Sequence, residues 1–433
     1  MKLKNKTLLC KMSLALAPVA LLMAAPAAYS ADSIADAIAG GKTSANLQYR
    51  YESVETPNNT TGQAKASTLR LRLGYETAEF QNVGAMFQMT HVAANHQFDD
   101  GGSGGHNSTW LNKVNDPAGT SVTQAYLSYS GVQDSKIKVG RQLIRYDNDR
   151  WVGNVDWRQT WQTYDATSIE NKSLADTTIR AAYVTNVNRP GGDQAGVNGN
   201  AHMKSTLLNI NNKSLSFADI VVYNYRLDFS EPAKAEASNG SSNTFGSTNT
   251  TGMKLAGTAP VGSYKFSWAA EYAQQKDFKA NASDYTAKYS NLEGAADFNL
   301  AKVTLGYEVL GSNNGRSVQT PLSTLFAFNG WADKFLVTPT TGLQDAYLKA
   351  RSTAFGVTYG ADYHHFQADS GNVKFGREVD LIAEKQIDKT YAVGTRAARF
   401  KADNMAVAGT ATATGNVTLT DTNKLWVYGS MAF

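Results

Sequence analysis

Arg70 and Arg72 stand two residues apart in the run Thr68-Leu69-Arg70-Leu71-Arg72-Leu73-Gly74-Tyr75-Glu76. That spacing puts both guanidinium groups on one face of an extended strand. Guanidinium pairs bidentately with carboxylate, so a ladder of such groups attracts anions. Glu378 and Asp380 repeat the spacing with carboxylates. A glycosidase would use such a pair, but salt bridging explains it more simply. The histidines are His91, His96, His106, His202, His364 and His365, and no nucleophile elbow, triad register or zinc-ligand spacing surrounds them. His364 and His365 project to opposite faces of one strand and cannot share a metal ion without distortion. Phe98-Asp99-Asp100-Gly101 lacks the oxygen-ligand series of a calcium loop and reads as a solvated turn. The Gly-rich segments lack the Lys-Ser/Thr of a phosphate cradle. No catalytic residue, metal or cofactor is expected.

Strands must position these groups. Val303, Leu305, Tyr307 and Val309 alternate with Lys302, Thr304, Gly306 and Glu308, and Tyr264, Phe266, Trp268, Ala270 and Tyr272 oppose Lys265, Ser267 and Glu271. Such alternation marks strands with two different faces. Long polar connections at residues 94–121, 188–203, 231–250, 311–343 and 403–420 alternate with short ones at 131–135, 172–176, 260–262, 299–300 and 388–390. This rhythm gives about nine hairpins, hence about 18 antiparallel strands of the roughly 9–11 residues that cross an outer membrane. An even count returns both ends to the periplasmic side and leaves the long loops extracellular.

The chain has 433 residues, 42% hydrophobic, 18% charged and 10% aromatic, with 36 Gly, 21 Tyr and 17 Phe. Low charge with much Tyr, Phe and Gly argues against a helical enzyme, and the apolar content excludes disorder. Cys10 is the single cysteine, which rules out a disulfide framework and a cysteine zinc cluster. Residues 1–30 read as a cleaved export signal. Lys2, Lys4 and Lys6 precede an apolar run from Ser13 to Ala25 too short to span a membrane, and Ala28-Tyr29-Ser30 offers the cleavage site. The net charge of +4 resides there, because Lys2, Lys4, Lys6 and Lys11 leave 37 Lys+Arg (41 less 4) against 37 Asp+Glu. A neutral mature chain argues against nucleic acid as a partner. Residues 31–45 form a periplasmic N-terminal segment. Its Ser33-Ile34-Ala35-Asp36-Ala37-Ile38-Ala39 has helical spacing, suiting a periplasmic helix or a small plug.

Residues 46–433 then form the barrel. Leu425, Val427, Gly429, Met431 and Phe433 share one face. This ending resembles the strand by which the outer-membrane assembly machinery takes up its barrels. Only a closed barrel lets strands cross lipid without unpaired backbone groups. The expected fold class is therefore all-β: a transmembrane antiparallel up-and-down β-barrel in the outer membrane of a Gram-negative cell.

Several segments together resemble the alginate-export family of outer-membrane porins. Gln124-Ala125-Tyr126-Leu127, Val139-Gly140-Arg141-Gln142, Asp149-Arg150-Trp151-Val152-Gly153, Asp156-Trp157-Arg158-Gln159 and Gln162-Thr163-Tyr164-Asp165-Ala166 are similar to its most recognisable block. Tyr49-Arg50-Tyr51-Glu52 with residues 67–77 resembles its first hairpin. Gly330-Trp331-Ala332-Asp333-Lys334-Phe335, Gly342-Leu343-Gln344-Asp345 and Arg377-Glu378-Val379-Asp380-Leu381 extend the likeness toward the end. The resemblance implies an 18-stranded barrel whose basic lumen passes anionic polysaccharide.

Strand parity assigns the charges. Arg50, Arg70, Arg72, Arg180, Arg226, Arg351 and Arg396, with Lys136, Lys138, Lys265, Lys302 and Lys349, fall on the polar side. A cation facing lipid at mid-membrane costs about 2–4 kcal/mol, so that side faces the lumen. Glu378 and Asp380 fall inward too. Arg150 and Arg158 belong to a loop, residues 145–162, expected to narrow the pore. Arg141 shares parity with Ile137 and Val139 and reaches the lumen only if Gly140 hosts a bulge. Trp151, Trp157 and Trp161 suit either sugar stacking or an interfacial girdle. Tyr49, Tyr75, Tyr223, Tyr225, Tyr264, Trp268 and Tyr272 are assigned to the girdle. The expected function is passive diffusion of small or oligomeric anionic solutes, such as the uronate-containing saccharide alginate, through outer-membrane lipid. A barrel enzyme acting on lipid or glycan and a closed structural barrel are the alternatives. On the last reading the arginines only pair with acids such as Asp147, Asp149 and Asp156.

Overall fold

The alternating segments pair each with the next and close into one sheet. The first six strands are β1 (Lys42–Glu55), β2 (Ala64–Glu76), β3 (Val83–Ala94), β4 (Gly119–Tyr129), β5 (Ser135–Gln142) and β6 (Thr163–Asn171). Next come β7 (Thr177–Asn188), β8 (Ala201–Asn212), β9 (Asp219–Leu227), β10 (Thr248–Val261), β11 (Tyr264–Asp277) and β12 (Thr286–Asp297). The circuit ends with β13 (Ala301–Leu310), β14 (Leu343–Ala354), β15 (Val357–Gln367), β16 (Lys374–Gln386), β17 (Tyr391–Ala402) and β18 (Thr422–Ala432). Every neighbour is antiparallel, and β18 pairs back onto β1 from Asn46↔Ala432 to Glu55↔Asn423. Closure removes the free edges that would leave N–H and C=O groups bare in lipid. The 18-stranded barrel expected from loop rhythm is therefore the observed fold. The structure, a computed structural model, describes residues 31–57, 63–94, 114–192, 200–229, 246–279, 284–403, 407–409 and 416–433. The expected export signal, the Phe98-Asp99-Asp100-Gly101 turn, His96 and His106 lie outside the described residues.

β1 already begins at Lys42, where Lys42 to Ala45 pair with Glu76 to Leu73, so the barrel takes in residues assigned to the segment before it. Helix α1 (Ile34–Ala39) is capped by Ser33, whose hydroxyl accepts from the Asp36 N–H at 3.1 Å. The Ala78 N–H donates to Ala37 O at 3.0 Å and the Ala31 N–H to Glu79 O at 2.9 Å, which docks the helix on the β2–β3 turn at one rim of the barrel.

On β2 the two faces are separated sharply. Leu69, Leu71 and Leu73 are 42%, 39% and 42% exposed, whereas Arg70 and Arg72 are 5% and 4% exposed. The exposed leucines face lipid and the buried arginines face the lumen. Tyr49, Tyr264, Trp268 and Tyr272 lie on the outer face, as the girdle assignment requires.

The lumen is not an empty tube. Residues 143–162, between β5 and β6, and residues 311–342, between β13 and β14, fold into it. Val152 and Leu322 form a parallel bridge between the two loops, and the Gly153 N–H donates to Leu322 O at 2.8 Å. Ile144, Tyr146, Trp151, Leu322, Phe326 and Phe335 join wall residues such as Tyr223, Tyr289 and Trp426 in one buried apolar cluster. Burying these side chains at about 25 cal/mol per Å² keeps both loops inside.

Candidate lumen site

Arg396, Lys424, Arg50, Arg70 and Arg72 concentrate inward cations on β17, β18, β1 and β2, and Glu271, Glu308, Asp345, Asp362, Glu378 and Asp380 concentrate acids between β11 and β16, with Glu52 on β1 and Arg351 on β14 as exceptions. Trp157 is the hinge on the cationic side. The guanidinium carbons of Arg50 and Arg396 lie 4.2 and 4.3 Å from its ring centroid, and Phe326 stacks on it at 4.4 Å. Arg50 pairs with Asp116 at 3.2 Å, and Arg396 pairs with Glu384 at 2.7 Å. Arg158 reaches Glu52 at 3.0 Å, Asp333 at 3.1 Å and Asp116 at 3.7 Å. Burial lowers the Arg158 pKa, but those three carboxylates outweigh it and hold the guanidinium above its ordinary value. Lys424 shares Asp333 at 2.7 Å.

Arg70 and Arg72 differ from these. Neither has a carboxylate partner among the described residues. Arg70 donates to Asn46 Oδ1, and its Nε is buried without a partner. Arg72 Nε donates to Thr90 Oγ1 at 3.1 Å and Nη2 to Gln159 O at 3.3 Å, while its guanidinium carbon lies 3.3 Å from the Trp161 ring centroid. The loop thus roofs Arg72, and Asp116 and Asp156 act on the two cations only from beyond ion-pair distance.

On the acidic side Arg150 Nε sits 2.8 Å from Glu308, and Nη2 donates to Asn329 Oδ1 at 3.1 Å. Trp151 Nε1 and the Tyr223 hydroxyl both donate to Glu271 Oε1, at 2.7 and 2.6 Å. Glu378 accepts the Ala332 N–H at 2.6 Å and Asp380 the Trp331 N–H at 3.3 Å. The expected carboxylate pair therefore faces inward, each member holding a backbone amide of the second loop. Gly330 adopts φ +82°, and a Cβ there would fall 2.5 Å from Glu378 Oε2, so the close approach requires glycine. Arg351 pairs with Asp362, and Arg180 pairs with Glu170 at 2.7 Å. Lys136, Lys138, Arg145 and Arg180 line a cavity of about 200 Å³ below the first loop.

Arg226 departs from expectation, and Arg141 takes the outward side its parity gives it when Gly140 hosts no bulge. Arg226 points outward: its neighbours Tyr223 and Tyr225 are 1% and 2% exposed, and it pairs across with Thr206 on the outer face. Tyr223 and Tyr225 accordingly leave the girdle for the lumen, stacking with Tyr146 and Trp151. The rule that polar means inward fails on β9 because an apolar loop packs against its inner face. Arg141 also faces outward, since Gly140 stays in register with Tyr126 and Ala166 and hosts no bulge. It meets Asp165 at 2.7 Å and Val122 O at 3.1 Å. The three loop tryptophans lie inside the barrel and form no girdle. Asp116, Asp333 and Lys334 hold the site together; Asp116 lies in no motif, and Asp333 and Lys334 fall in the 330–335 segment without a role assigned to either from sequence. Burial and the neighbouring Lys424 bring the Lys334 ammonium down to about 8, and its Nζ donates to Thr422 Oγ1 at 3.1 Å.

The Alginate export family model matches residues 42–289. Comparison with curated proteins finds no matching relative. Among solved structures the chain is similar to Pseudomonas aeruginosa OccK1 (OpdK), with TM-score 0.65 and 11% identity over 92% of this chain and 99% of that one. Pseudomonas aeruginosa OccK9 (OpdG) gives 0.66 and 12% over 92% and 100%. Acinetobacter baumannii OccAB4 gives 0.64 and 13% over 91% and 98%. At such identity the likeness concerns the fold.

Proposed function

From the premise that this chain belongs to the alginate-export family and forms an outer-membrane channel, we propose that it passes small or oligomeric anions, uronate-containing saccharides foremost. The observation that carries this is Arg70 beside Arg72 on β2, both buried and neither in an ion pair with a carboxylate among the described residues. An unpaired buried charge costs several kcal/mol, and a carboxylate-bearing solute relieves it. Arg50, Arg150, Arg158, Arg180, Arg351 and Arg396 already have acid partners and serve chiefly to fix the walls and loops. Arg141 and Arg226, on the outer face, are left out of the solute path. Several weak cationic sites in series admit an anion without trapping it. Residues 1–30 direct export and are cleaved. Phe433, 59% exposed and bonded through its N–H to Ala45 O at 2.8 Å, presents the C-terminal signal to the assembly machinery.

Liposome swelling tests the reading. Uronate oligomers should enter faster than neutral oligosaccharides of equal size, and equal rates would overturn it. The two loops packed in the lumen favour a second reading, a closed structural barrel, which an absence of single-channel current would select.

A further inference from the structure

We infer that the lumen wall at β15 and β16 binds a divalent cation through Asp362, His364 and Asp380. These strands pair Asp362 with Asp380 and His364 with Glu378. One ligand atom from each of the three residues lies within 4.8 Å of the others. Metal–ligand bonds of about 2.0–2.4 Å span that separation with small side-chain movement. All three residues are at most 3% exposed, so the donors sit in a dry wall.

The surroundings are those of a ligand set. Asp345 Oδ1 lies 2.9 Å from His364 Nδ1, which orients the ring and leaves Nε2 as the coordinating nitrogen. Arg351 holds both oxygens of Asp362, Nη1 donating to Oδ1 and Nη2 to Oδ2 at 2.8 Å, and so fixes that carboxylate in place. The independent sign of a missing partner is on β16. Asp380 Oδ1 and Glu378 Oε2 are fully buried and, among the described residues, no donor reaches either; the two carboxyl groups face only each other there. A native site rarely leaves such oxygens unfilled.

Charge points the same way. Asp345, Asp362, Glu378 and Asp380 face one paired guanidinium, Arg351, and one imidazole, His364. Lys334 and Lys424 add positive charge on the Glu378 side without an ion pair to it. Packing four carboxylates together in a water-poor wall is unfavourable unless a proton or a cation intervenes. One imidazole and two carboxylates suit Zn²⁺ or Mn²⁺ better than Ca²⁺, which prefers a full set of oxygens. Through Glu378 and Asp380 the cation would also steady the Trp331 and Ala332 amides, and with them the second loop. The site does not depend on which solute the channel carries.

The test uses the untagged full chain in detergent, stripped with EDTA and titrated with Zn²⁺ alone and with Mn²⁺ alone. One ion per chain should bind, and His364→Gln and Asp380→Asn should each weaken binding tenfold or more. His365→Ala, on the opposite face, should leave it unchanged. Should either ligand variant fail to fold, electron spin-echo spectra of the Mn²⁺-loaded wild type read the site directly and should show coupling to one imidazole nitrogen. No stoichiometric uptake, uptake indifferent to His364→Gln, or a spectrum without nitrogen coupling would overturn the site and leave a proton shared by Glu378 and Asp380.

Discussion

The Arg72 guanidinium carbon lies 3.3 Å from the centroid of the Trp161 ring, so a wall cation is covered by a loop indole. A desolvated cation–π contact of this kind is worth about 2 kcal/mol. It joins the β2 arginine ladder to the loop between β5 and β6.

Trp161→Ala should therefore loosen that loop. A loss of about 2 kcal/mol raises the open population roughly thirtyfold. In planar bilayers the variant should show larger or more frequent openings, and Trp161→Phe should restore most of the closure. Identical current records for wild type and Trp161→Ala would contradict the roof.

Arg150→Ala should free the loop at its other anchorage. It strands Glu308, which keeps only the Tyr289 hydroxyl at 2.7 Å and the Asn329 amide at 2.7 Å. Breaking a buried pair costs about 3–5 kcal/mol. Hydrogen exchange at the Gly153 and Gln162 amides, which bond to Leu322 O and Asn154 O, should accelerate by about a hundredfold or more. Unchanged protection would show that the apolar cluster alone holds the loop.

Lys334 predicts a pH dependence. Burial and Lys424 lower its pKa from 10.5 to about 8. The unfolded chain binds this proton more readily between those values, so stability rises with pH across that window and the penalty is complete below it. The lumen loses one positive charge on the way. Anion preference should fall between about pH 7 and about pH 9, and Lys334→Met should flatten the change. A profile that survives the substitution would assign the titration elsewhere.

The barrel was legible because a membrane wall must alternate. Leu69, Leu71 and Leu73 against Arg70 and Arg72 admit one orientation, and the order of long and short connections fixed the strand count. β9 was misread because its inner face, Tyr223 and Tyr225, packs on Tyr146 and Trp151, so the lumen there is apolar. Arg141 illustrates a second limit: near the strand end a cation can face outward when Asp165 meets it from the next strand. The acids that complete the site, Asp116 and Asp333, come from loops whose inward folding depends on contacts distant in sequence. The Asp362–His364–Asp380 cluster was invisible for a related reason. Sequence spacing within one strand suggested no metal, whereas the third ligand arrives through the register of β15 with β16.

The charge selectivity of the pore reads the Arg70–Arg72 ladder itself. Zero-current potentials should be measured in planar bilayers under a salt gradient for wild type and for Arg70→Ala combined with Arg72→Ala. An anion-selective wild-type pore that loses its preference in the double variant is the predicted result. A cation-preferring pore, unchanged by removing both arginines, would contradict it.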